Sequence, residues 1–311
     1  MDYIPNPHLR RDPEDAAADV AAHILLTRQV DPDAAWLVVE GIADDHLFDP
    51  YVDLKSRMAC ACGKRAVELV SDKLARWGKR DGFVGVVDQD FDALLGAPPA
   101  ISPVFTTDTH DIETMCLASD EAMDAVLSEH SDRECRRKFQ FDTGQSVRLA
   151  VLAAAREIGL IRLASLKKGL RLNVAEWDCR RHYPAFLADL KVDRSELCSF
   201  LETTPTLRRD GSSRCCTSSE ISTLRAEVNR LDEVHSGCDA LLIACGHDAC
   251  KVLSASIGPT RVLGGDHGIE PNALEQALRL AYPKHVFLST KLFGALREWQ
   301  QANKAWTLLR A

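Results

Sequence analysis

The stretch Phe83-Val84-Gly85-Val86-Val87-Asp88-Gln89-Asp90 decides how this chain folds, because an apolar run rich in valine stops there at two carboxylates. A second run of the same kind, Trp36-Leu37-Val38-Val39-Glu40-Gly41, lies upstream and stops at a glutamate. Neither run alternates between apolar and polar residues, which is typical of strands covered on both faces. The two runs therefore predict two strands of one parallel sheet.

Acidic residues follow both predicted strands at the point where each strand ends. Ligands gather at the carboxyl ends of the strands in an open parallel sheet, so we expect Glu40, Asp88 and Asp90 to converge. In an extended chain Asp88 and Asp90 point to the same side. Clustered carboxylates repel one another unless a hard cation lies between them, and Mg²⁺ prefers such oxygen ligands. Asp44 is predicted either as a further ligand or as a helix cap, and Asp92 as solvent-facing.

Strand and helix signals alternate along the first part of the chain, which predicts right-handed crossovers and an α/β fold with a parallel sheet flanked by helices. Asp12-Pro13-Glu14 has the capping aspartate, early proline and early acid of a helix start. The predicted elements are a first helix to about Arg28, strands over about 35–40, 57–62, 82–88 and 104–107, and helices beginning after Gly63 and at Asp111.

The later part of the chain is predicted to be mostly helical, as an insertion or second subdomain. An amphipathic pattern from Asp142 to Ile158 indicates a helix there. The apolar run from Ala240 to Cys245 is predicted to be another strand, which breaks at Gly246-His247-Asp248 and leads into further helices.

Composition narrows the class of protein. The chain has 311 residues, of which 46% are hydrophobic and 27% charged, so a packed globular core is expected. Its net charge of −8 argues against a nonspecific coat for nucleic acid. Two basic groups, one within 133–138 and one within 156–171, are each open to interpretation as a local phosphate contact or a solvated helix face.

The eleven cysteines are an odd number and are scattered along the chain. The segment from Met1 to Pro13 is polar and lacks the apolar centre of a secretory signal. Free thiols in a reducing compartment are the simplest interpretation, so we expect a cytoplasmic protein that does not enter a membrane.

The order of motifs resembles a TOPRIM domain, the catalytic fold shared by topoisomerases, bacterial primases and the overcoming-lysogenization-defect (OLD) nucleases. The motifs that carry the resemblance are Val39-Glu40-Gly41-Ile42-Ala43-Asp44, the Gly63-Lys64 helix start, Gly85-Val86-Val87-Asp88-Gln89-Asp90, Thr107-Asp108-Thr109-His110-Asp111-Ile112-Glu113 and Gly246-His247-Asp248. Together they are similar to the OLD-related TOPRIM family that includes AriB, the nuclease effector of the PARIS anti-phage system. The resemblance implies a TOPRIM-like, Rossmann-like sheet.

By that resemblance, Glu40, Asp88 and Asp90 are the metal-binding core, and Asp44 and Glu113 supply further carboxylates. The cation would be Mg²⁺, with Mn²⁺ as an alternative. The implied organisation is a catalytic core over 1–118, a helical subdomain over 119–236, and a C-terminal strand and helices over 237–311 that return to the core.

Further side chains are candidates on their own chemistry. Glu40 can alternatively act as a general base, since neighbouring carboxylates raise its pKa. Lys64, at a helix start, can stabilise charge that develops on a phosphorane. His247, which opens a helix after the predicted strand, can contact a phosphate. The roles of His110, Asp248 and Lys251 stay open between catalysis and structure.

The function that the resemblance implies is a Mg²⁺-dependent endonuclease effector in anti-phage defence, toxic through cleavage of tRNA or other RNA. Such an effector is held by a partner ATPase of the AriA type, and we expect a homodimer. The chain has no phosphate-binding loop of its own, because Arg65 follows Gly63-Lys64 where a Ser or Thr is needed. The alternatives are an OLD-type DNA endonuclease and a non-catalytic TOPRIM docking subunit.

One position departs from the family pattern. Many relatives carry a basic residue between the two aspartates, whereas this chain has Gln89. The departure removes one phosphate contact and leaves the proposed metal ligands intact. A phosphatase is disfavoured, because such enzymes usually place the Asp-x-Asp pair on the first strand, and here a strand that ends in Glu40 comes before it.

Overall fold

A computed structural model describes residues 12–97, 100, 102–209 and 211–310, so most of the polar N-terminal segment lies outside the described residues. The chain divides into two compact units. The first contains the described residues of Met1–Asp108 together with those of Lys284–Ala311, and the second is Thr109–Pro283. Each unit is described separately below.

The first unit opens with alternating helices and strands. In chain order they are α1 (Pro13–Thr27), β1 (Trp36–Val39), α2 (Ile42–Phe48), β2 (Arg57–Cys60), α3 (Lys64–Arg76), β3 (Phe83–Val87), α4 (Asp92–Leu95) and β4 (Val104–Thr106). The strands form one sheet in the order β2-β1-β3-β4, and every neighbouring pair is parallel. The prediction of an α/β fold with a parallel sheet flanked by helices is therefore confirmed.

Apolar burial explains why β1 and β3 are central strands. All residues of both strands are buried. Helices α1 and α3 contribute alanine, valine and leucine side chains to the same core as Trp36 and Phe83. The β1 and β3 runs can lie only in the middle of a covered sheet, since an apolar run exposed on one face would lose the free energy of burial.

The first helix follows its sequence signals closely. The Asp12 carboxylate accepts a hydrogen bond from the Glu14 amide at 2.8 Å, and Pro13 occupies the first helical position. This satisfies an amide that has no partner within the helix. Its buried residues Ala16, Ala17, Val20, Ala21 and Ile24 recur at three- and four-residue intervals and face the sheet core.

The second unit is mostly helical. Its helices are α5 (Ile112–Leu117), α6 (Asp120–His130), α7 (Arg133–Thr143), α8 (Val147–Lys167), α9 (Arg194–Thr203), α10 (Ser218–Val234), α11 (Ala240–Ile243), α12 (Gly246–Ser256) and α13 (Pro271–Ala281). Two short antiparallel hairpins interrupt them, β5 (Leu187–Ala188) with β6 (Lys191–Val192), and β7 (Thr206–Leu207) with β8 (Ser213–Arg214).

The predicted strand from Ala240 to Cys245 is wrong, because this run forms the short helix α11. The Asp239 carboxylate caps the helix by accepting from the Leu241 amide at 2.9 Å. A short buried apolar run is compatible with either a strand or a helix, and periodicity cannot separate the two. Here the run packs against the long helix α8, and no described strand lies beside it to complete a ladder.

Gly159 is the residue of α8 that permits this packing, and it supports a test. A Cβ atom at position 159 would lie 2.0 Å from the Ile243 carbonyl oxygen. We expect Gly159→Ala to lower the free energy of unfolding by about 1–3 kcal/mol, because backbone atoms must move apart. In an uncrowded helix the same change would stabilise by about 1 kcal/mol. Urea unfolding measures the change in the free energy of unfolding, and its sign tells the two cases apart. A variant more stable than the parent would contradict close packing at Gly159.

The single helix predicted around Asp142 to Ile158 is also wrong at its start. Helix α7 ends at Thr143, Gly144 follows in the left-handed conformation, and Ser146 caps α8. A glycine with positive φ is a common helix stop, since no Cβ opposes that conformation. The amphipathic pattern is real, but it spans the end of one helix and the beginning of the next.

The chain returns to the first unit with α14 (Lys284–Leu288) and α15 (Lys291–Ala302). The Asp108 carboxylate, which follows β4, accepts from the amides of Lys291 and Leu292 at 2.7 and 2.8 Å. It thereby fixes the start of α15 beside the end of β4. Within the described ranges, no helix combines the length and the apolar character that crossing a bilayer requires.

Candidate functional site

Glu40 and Asp88 meet at the carboxyl edge of the two central strands. Glu40 follows β1 and Asp88 follows β3, and these strands are neighbours in the sheet. The Asp88 amide donates a hydrogen bond to Oε1 of Glu40 at 2.7 Å. Two segments separated by many residues in the chain are thus joined directly at the strand ends, as the sequence predicted.

The Asp88-Gln89-Asp90 segment leaves the sheet by a turn and does not continue as a strand. β3 ends at Val87, and Asp90 has a φ of 49°, in the left-handed region that aspartate tolerates better than most residues. The Gln89 amide donates to the Thr107 hydroxyl at 2.9 Å, which fixes the turn to the segment after β4. The backbone at Asp90 is therefore not the extended one from which the shared face of Asp88 and Asp90 was predicted.

Lys64 holds this turn. It is the first residue of α3, where Gly63 precedes it with a φ of 122°. Its ammonium group donates to the Asp88 carbonyl at 2.6 Å and to Oδ2 of Asp90 at 3.2 Å. It also pairs with Oδ2 of Asp92 at 2.7 Å, so Asp92, whose side chain is 37% exposed, takes part in the cluster while it also faces solvent.

The charges around Lys64 explain its protonation. Burial alone would lower the pKa of Lys64, but hydrogen bonds and the charges of Asp92 and Asp90 more than offset this and raise it. Lys64 is therefore a fixed cation at this edge of the sheet, beside Asp88, Asp90 and Asp92.

The acidity of Glu40 is strongly altered by its surroundings. Burial, together with the negative charges of Asp90 and Asp44, raises the pKa of Glu40 to about 7, although the Asp88 amide and Lys64 favour its charged form. A carboxyl group with this pKa exchanges protons near neutral pH, which suits a general base.

The raised pKa of Glu40 predicts that, when divalent cations are removed, Glu40→Gln and the parent protein differ in stability in a way that depends on pH. The folded pKa lies above the unfolded value, so the parent loses stability as pH rises from about 4.5 through 7. We expect equal stability at pH 4 and a variant more stable by up to about 3 kcal/mol at pH 8. Urea unfolding with chelator measures this, with Glu68→Gln as control. A difference that does not change with pH would contradict it.

The donor atoms of the strand-end acids are of the type that a hard dication such as Mg²⁺ binds. Glu40, Asp88 and Asp90 offer oxygen atoms alone. As they stand, their oxygens do not form a group that lies mutually within 4.8 Å, a criterion that two other groups of the described residues meet. Lys64 occupies part of the acidic surface, because it pairs with Asp90 and Asp92.

Asp44 acts as a helix cap in this structure. Its Oδ2 accepts from the Gly41 amide at 2.7 Å at the start of α2. Its charge nevertheless acts on Glu40 and contributes to the raised pKa there. Both interpretations of Asp44 from sequence therefore have a physical basis, and the hydrogen bond that the structure contains is the capping one.

Glu113 and His247 lie in the second unit, where they belong to one cluster with two residues that the sequence did not point to. His247 Nδ1 lies 2.8 Å from Oε1 of Glu275, and Arg279 donates to Oε1 of Glu113 at 3.0 Å. The hydrogen bond to Glu275 and the nearby charge of Glu113 raise the pKa of His247 to about 10. Glu275 and Arg279 are four residues apart on α13 and carried no recognisable motif.

Asp111 holds the two helix starts that present Glu113 and His247. One carboxylate oxygen accepts from the Thr114 amide at 2.8 Å, and the other accepts from the Gly246 amide at 2.7 Å. A Cβ atom at position 246 would lie 2.3 Å from the Glu113 Cβ atom. Glycine is therefore required at position 246 for α12 to approach α5 this closely, whereas the sequence predicted only a break in the chain there.

The candidates whose roles were open have structural partners. Asp248 is fully buried and pairs with Arg162, whose Nε and Nη2 donate to its two oxygens at 2.5 and 3.0 Å. Lys251 donates to the Ala175 carbonyl. His110 is buried, and its amide donates to the Leu241 carbonyl at 2.9 Å. None of these contacts was predicted.

The basic group within 156–171 is largely paired. Arg156 pairs with Asp232 at 2.7 Å, Arg162 with Asp248, and Lys168 with Glu227 at 3.0 Å. These pairs disfavour a phosphate contact, and because the side chains of Arg156 and Arg162 are only 16% and 19% exposed, they also disfavour a solvated helix face. All eleven cysteines are free thiols.

Comparisons with known proteins add no relative: no protein-family model matches the chain, and no curated protein has a significantly similar sequence.

Proposed function

We propose that this chain is a Mg²⁺-dependent endonuclease of the TOPRIM type. The observation that carries the proposal is the direct contact between Glu40 and Asp88 at the carboxyl ends of adjacent parallel strands, with Lys64 beside them. TOPRIM-like motifs in the same order along the sequence support it. The fold assignment to TOPRIM is part of the proposal.

The residues present have complementary roles in phosphodiester hydrolysis. A bound Mg²⁺ would supply activation of water and stabilisation of the leaving oxygen. Glu40, Asp88 and Asp90 would hold it. Alternatively, Asp88 and Asp90 would hold it while Glu40, whose pKa is about 7 without a cation, accepts a proton at neutral pH. Lys64 provides a fixed positive charge for the phosphoryl oxygens.

The substrate we propose is RNA, with tRNA first, because the resemblance leads to an effector that arrests translation in anti-phage defence. Anticodon loops have unstacked bases that a nuclease can read, which suits selective cleavage. DNA is the alternative substrate. The proposal includes a partner ATPase of the AriA type and a homodimer, both implied by the resemblance, and a cytoplasmic location.

Purified full-length protein incubated with total RNA and with plasmid DNA tests the proposal. Parallel reactions contain Mg²⁺, Mn²⁺ or a chelator, and sequencing of the ends identifies the cut positions. We expect discrete RNA ends with Mg²⁺ and none with chelator. Intact RNA and DNA under all conditions, with and without an AriA-type ATPase, would contradict nuclease activity.

One observation favours a second candidate function, a non-catalytic docking subunit. Lys64 already pairs with Asp90 and Asp92, so part of the acidic charge is compensated without a cation. Toxicity on overexpression separates the two functions. A nuclease loses toxicity with Glu40→Ala, whereas a docking subunit keeps it.

A further inference from the structure

We propose that Glu113, His247 and Glu275 form a second metal site, which takes a transition-metal dication in the Mn²⁺ to Zn²⁺ range. One donor atom from each residue lies within 4.8 Å of the other two. Donor atoms around a dication at ~2.1 Å are ~3–3.5 Å apart, so small side-chain rotations suffice. The TOPRIM resemblance assigned Glu113 and His247 to the nuclease, whereas here they lie with Glu275 in the second unit, and metal binding by this group does not require Glu40, Asp88 or Asp90.

The donor chemistry selects the class of cation. The group combines an imidazole nitrogen with two carboxylates. Imidazole suits zinc, iron and nickel, whereas Mg²⁺ prefers oxygen ligands alone. Mn²⁺ and Zn²⁺ both accept mixed nitrogen and oxygen sets. The cation preference of this group therefore differs from that of the oxygen-only group in the first unit.

Three separate elements fix the donors. Glu113 lies on α5, His247 on α12 and Glu275 on α13. Asp111 joins the starts of α5 and α12 through two hydrogen bonds, and the contact leaves no space for a Cβ atom at Gly246. A site on packed helices needs little reorganisation when a cation binds.

Arg279 is compatible with a cation in this group. It donates to Oε1 of Glu113 at 3.0 Å. A carboxylate has two oxygens with about four acceptor positions, so it can bind a metal while it keeps a hydrogen bond. Metal-ligating carboxylates are usually hydrogen-bonded in this way, which orients them. Arg279 is thus a positioning residue for Glu113.

The cluster is open on one side. The side chains of Glu113 and Glu275 are 5% and 12% exposed, whereas that of His247 is 53% exposed. Two buried carboxylates therefore form the floor and the histidine forms the rim, from which solvent can reach the centre. A dication would replace the proton that His247 Nδ1 and Glu275 share, and this proton would leave to solvent.

The competing interpretation is an ion-pair cluster that needs no metal, made of the Arg279–Glu113 and His247–Glu275 pairs. The two interpretations differ in metal affinity. A metal site binds Mn²⁺ saturably and loses affinity when one donor is replaced. An ion-pair cluster binds no cation at this place.

The experiment measures Mn²⁺ binding by electron paramagnetic resonance in chelator-treated, full-length protein that carries Asp88→Asn to weaken the first-unit group. We expect one saturable Mn²⁺, displaced by Zn²⁺ but not by equimolar Mg²⁺. His247→Gln and Glu275→Gln should each weaken Mn²⁺ binding at least tenfold. Glu270→Gln, a change of an exposed acid just before α13, is the matched control and should leave it unchanged.

The absence of saturable Mn²⁺ binding in the Asp88→Asn protein would overturn the proposal, as would unchanged affinity in His247→Gln. Circular dichroism checks that each variant is folded. If Glu275→Gln does not fold, the Mn²⁺ affinity of His247→Gln, which changes a half-exposed residue, decides the outcome. Failure of the nuclease proposal looks different, because the Asp88→Asn protein would still bind Mn²⁺ while the parent cleaved no nucleic acid.

Discussion

Asp88→Asn is expected to reduce the rate of Mg²⁺-dependent cleavage by about a hundredfold to a thousandfold. This loss is typical when one group that stabilises a transition state is removed. The substitution keeps the backbone amide that donates to Glu40, so the turn at the end of β3 should persist. It removes the negative charge that a dication needs at the strand ends. Initial rates on the RNA identified by end sequencing measure the effect.

Glu40→Gln should reduce cleavage to the same extent, because it removes the carboxylate that either holds the cation or accepts the proton. Glu68→Gln is the matched control, since Glu68 lies on α3 near Lys64 but pairs with the exposed Arg65. Cleavage by purified Asp88→Asn at the parent rate would remove Asp88 from the mechanism. Toxicity on overexpression should disappear in the same two variants and persist in the control.

Arg162→Leu is expected to lower the free energy of unfolding of the second unit by about 3–5 kcal/mol, the cost of leaving a buried charge without its partner. Asp248 is fully buried, and both of its oxygens accept from Arg162, with the Tyr183 hydroxyl at 3.3 Å from one of them. With the arginine gone, the carboxylate must stay charged in an apolar surrounding or take up a proton.

Two further variants distinguish the effect of breaking the buried ion pair from the effect of losing an arginine side chain. Arg148→Leu changes the same helix at a pair with the exposed Asp120, and it should cost less than about 1 kcal/mol. The double variant Arg162→Leu/Asp248→Leu should recover much of the loss, since no buried charge remains. Chemical unfolding followed by tryptophan fluorescence and by circular dichroism measures all three. A double variant as unstable as Arg162→Leu alone would contradict the account.

Local signals in the sequence were sufficient for the central strands and for two helix starts of the first unit. The strands β1 and β3, the cap at Asp12 and the glycine before Lys64 all follow from residues within a few positions of one another. Because parallel strands end at one edge, the meeting of Glu40 with Asp88 followed from the strand assignments. The turn at Asp90 did not, since its backbone depends on contacts with Lys64 and Thr107.

The sequence by itself determined where apolar runs end in carboxylates, and therefore which acids face one another across neighbouring strands. Only the tertiary structure decided that Ala240–Ile243 is a helix, that Asp248 pairs with Arg162, and that Glu275 joins Glu113 and His247. The physical reason is range. Caps and periodicity act between residues a few positions apart, whereas these outcomes depend on packing between helices that are far apart in the chain.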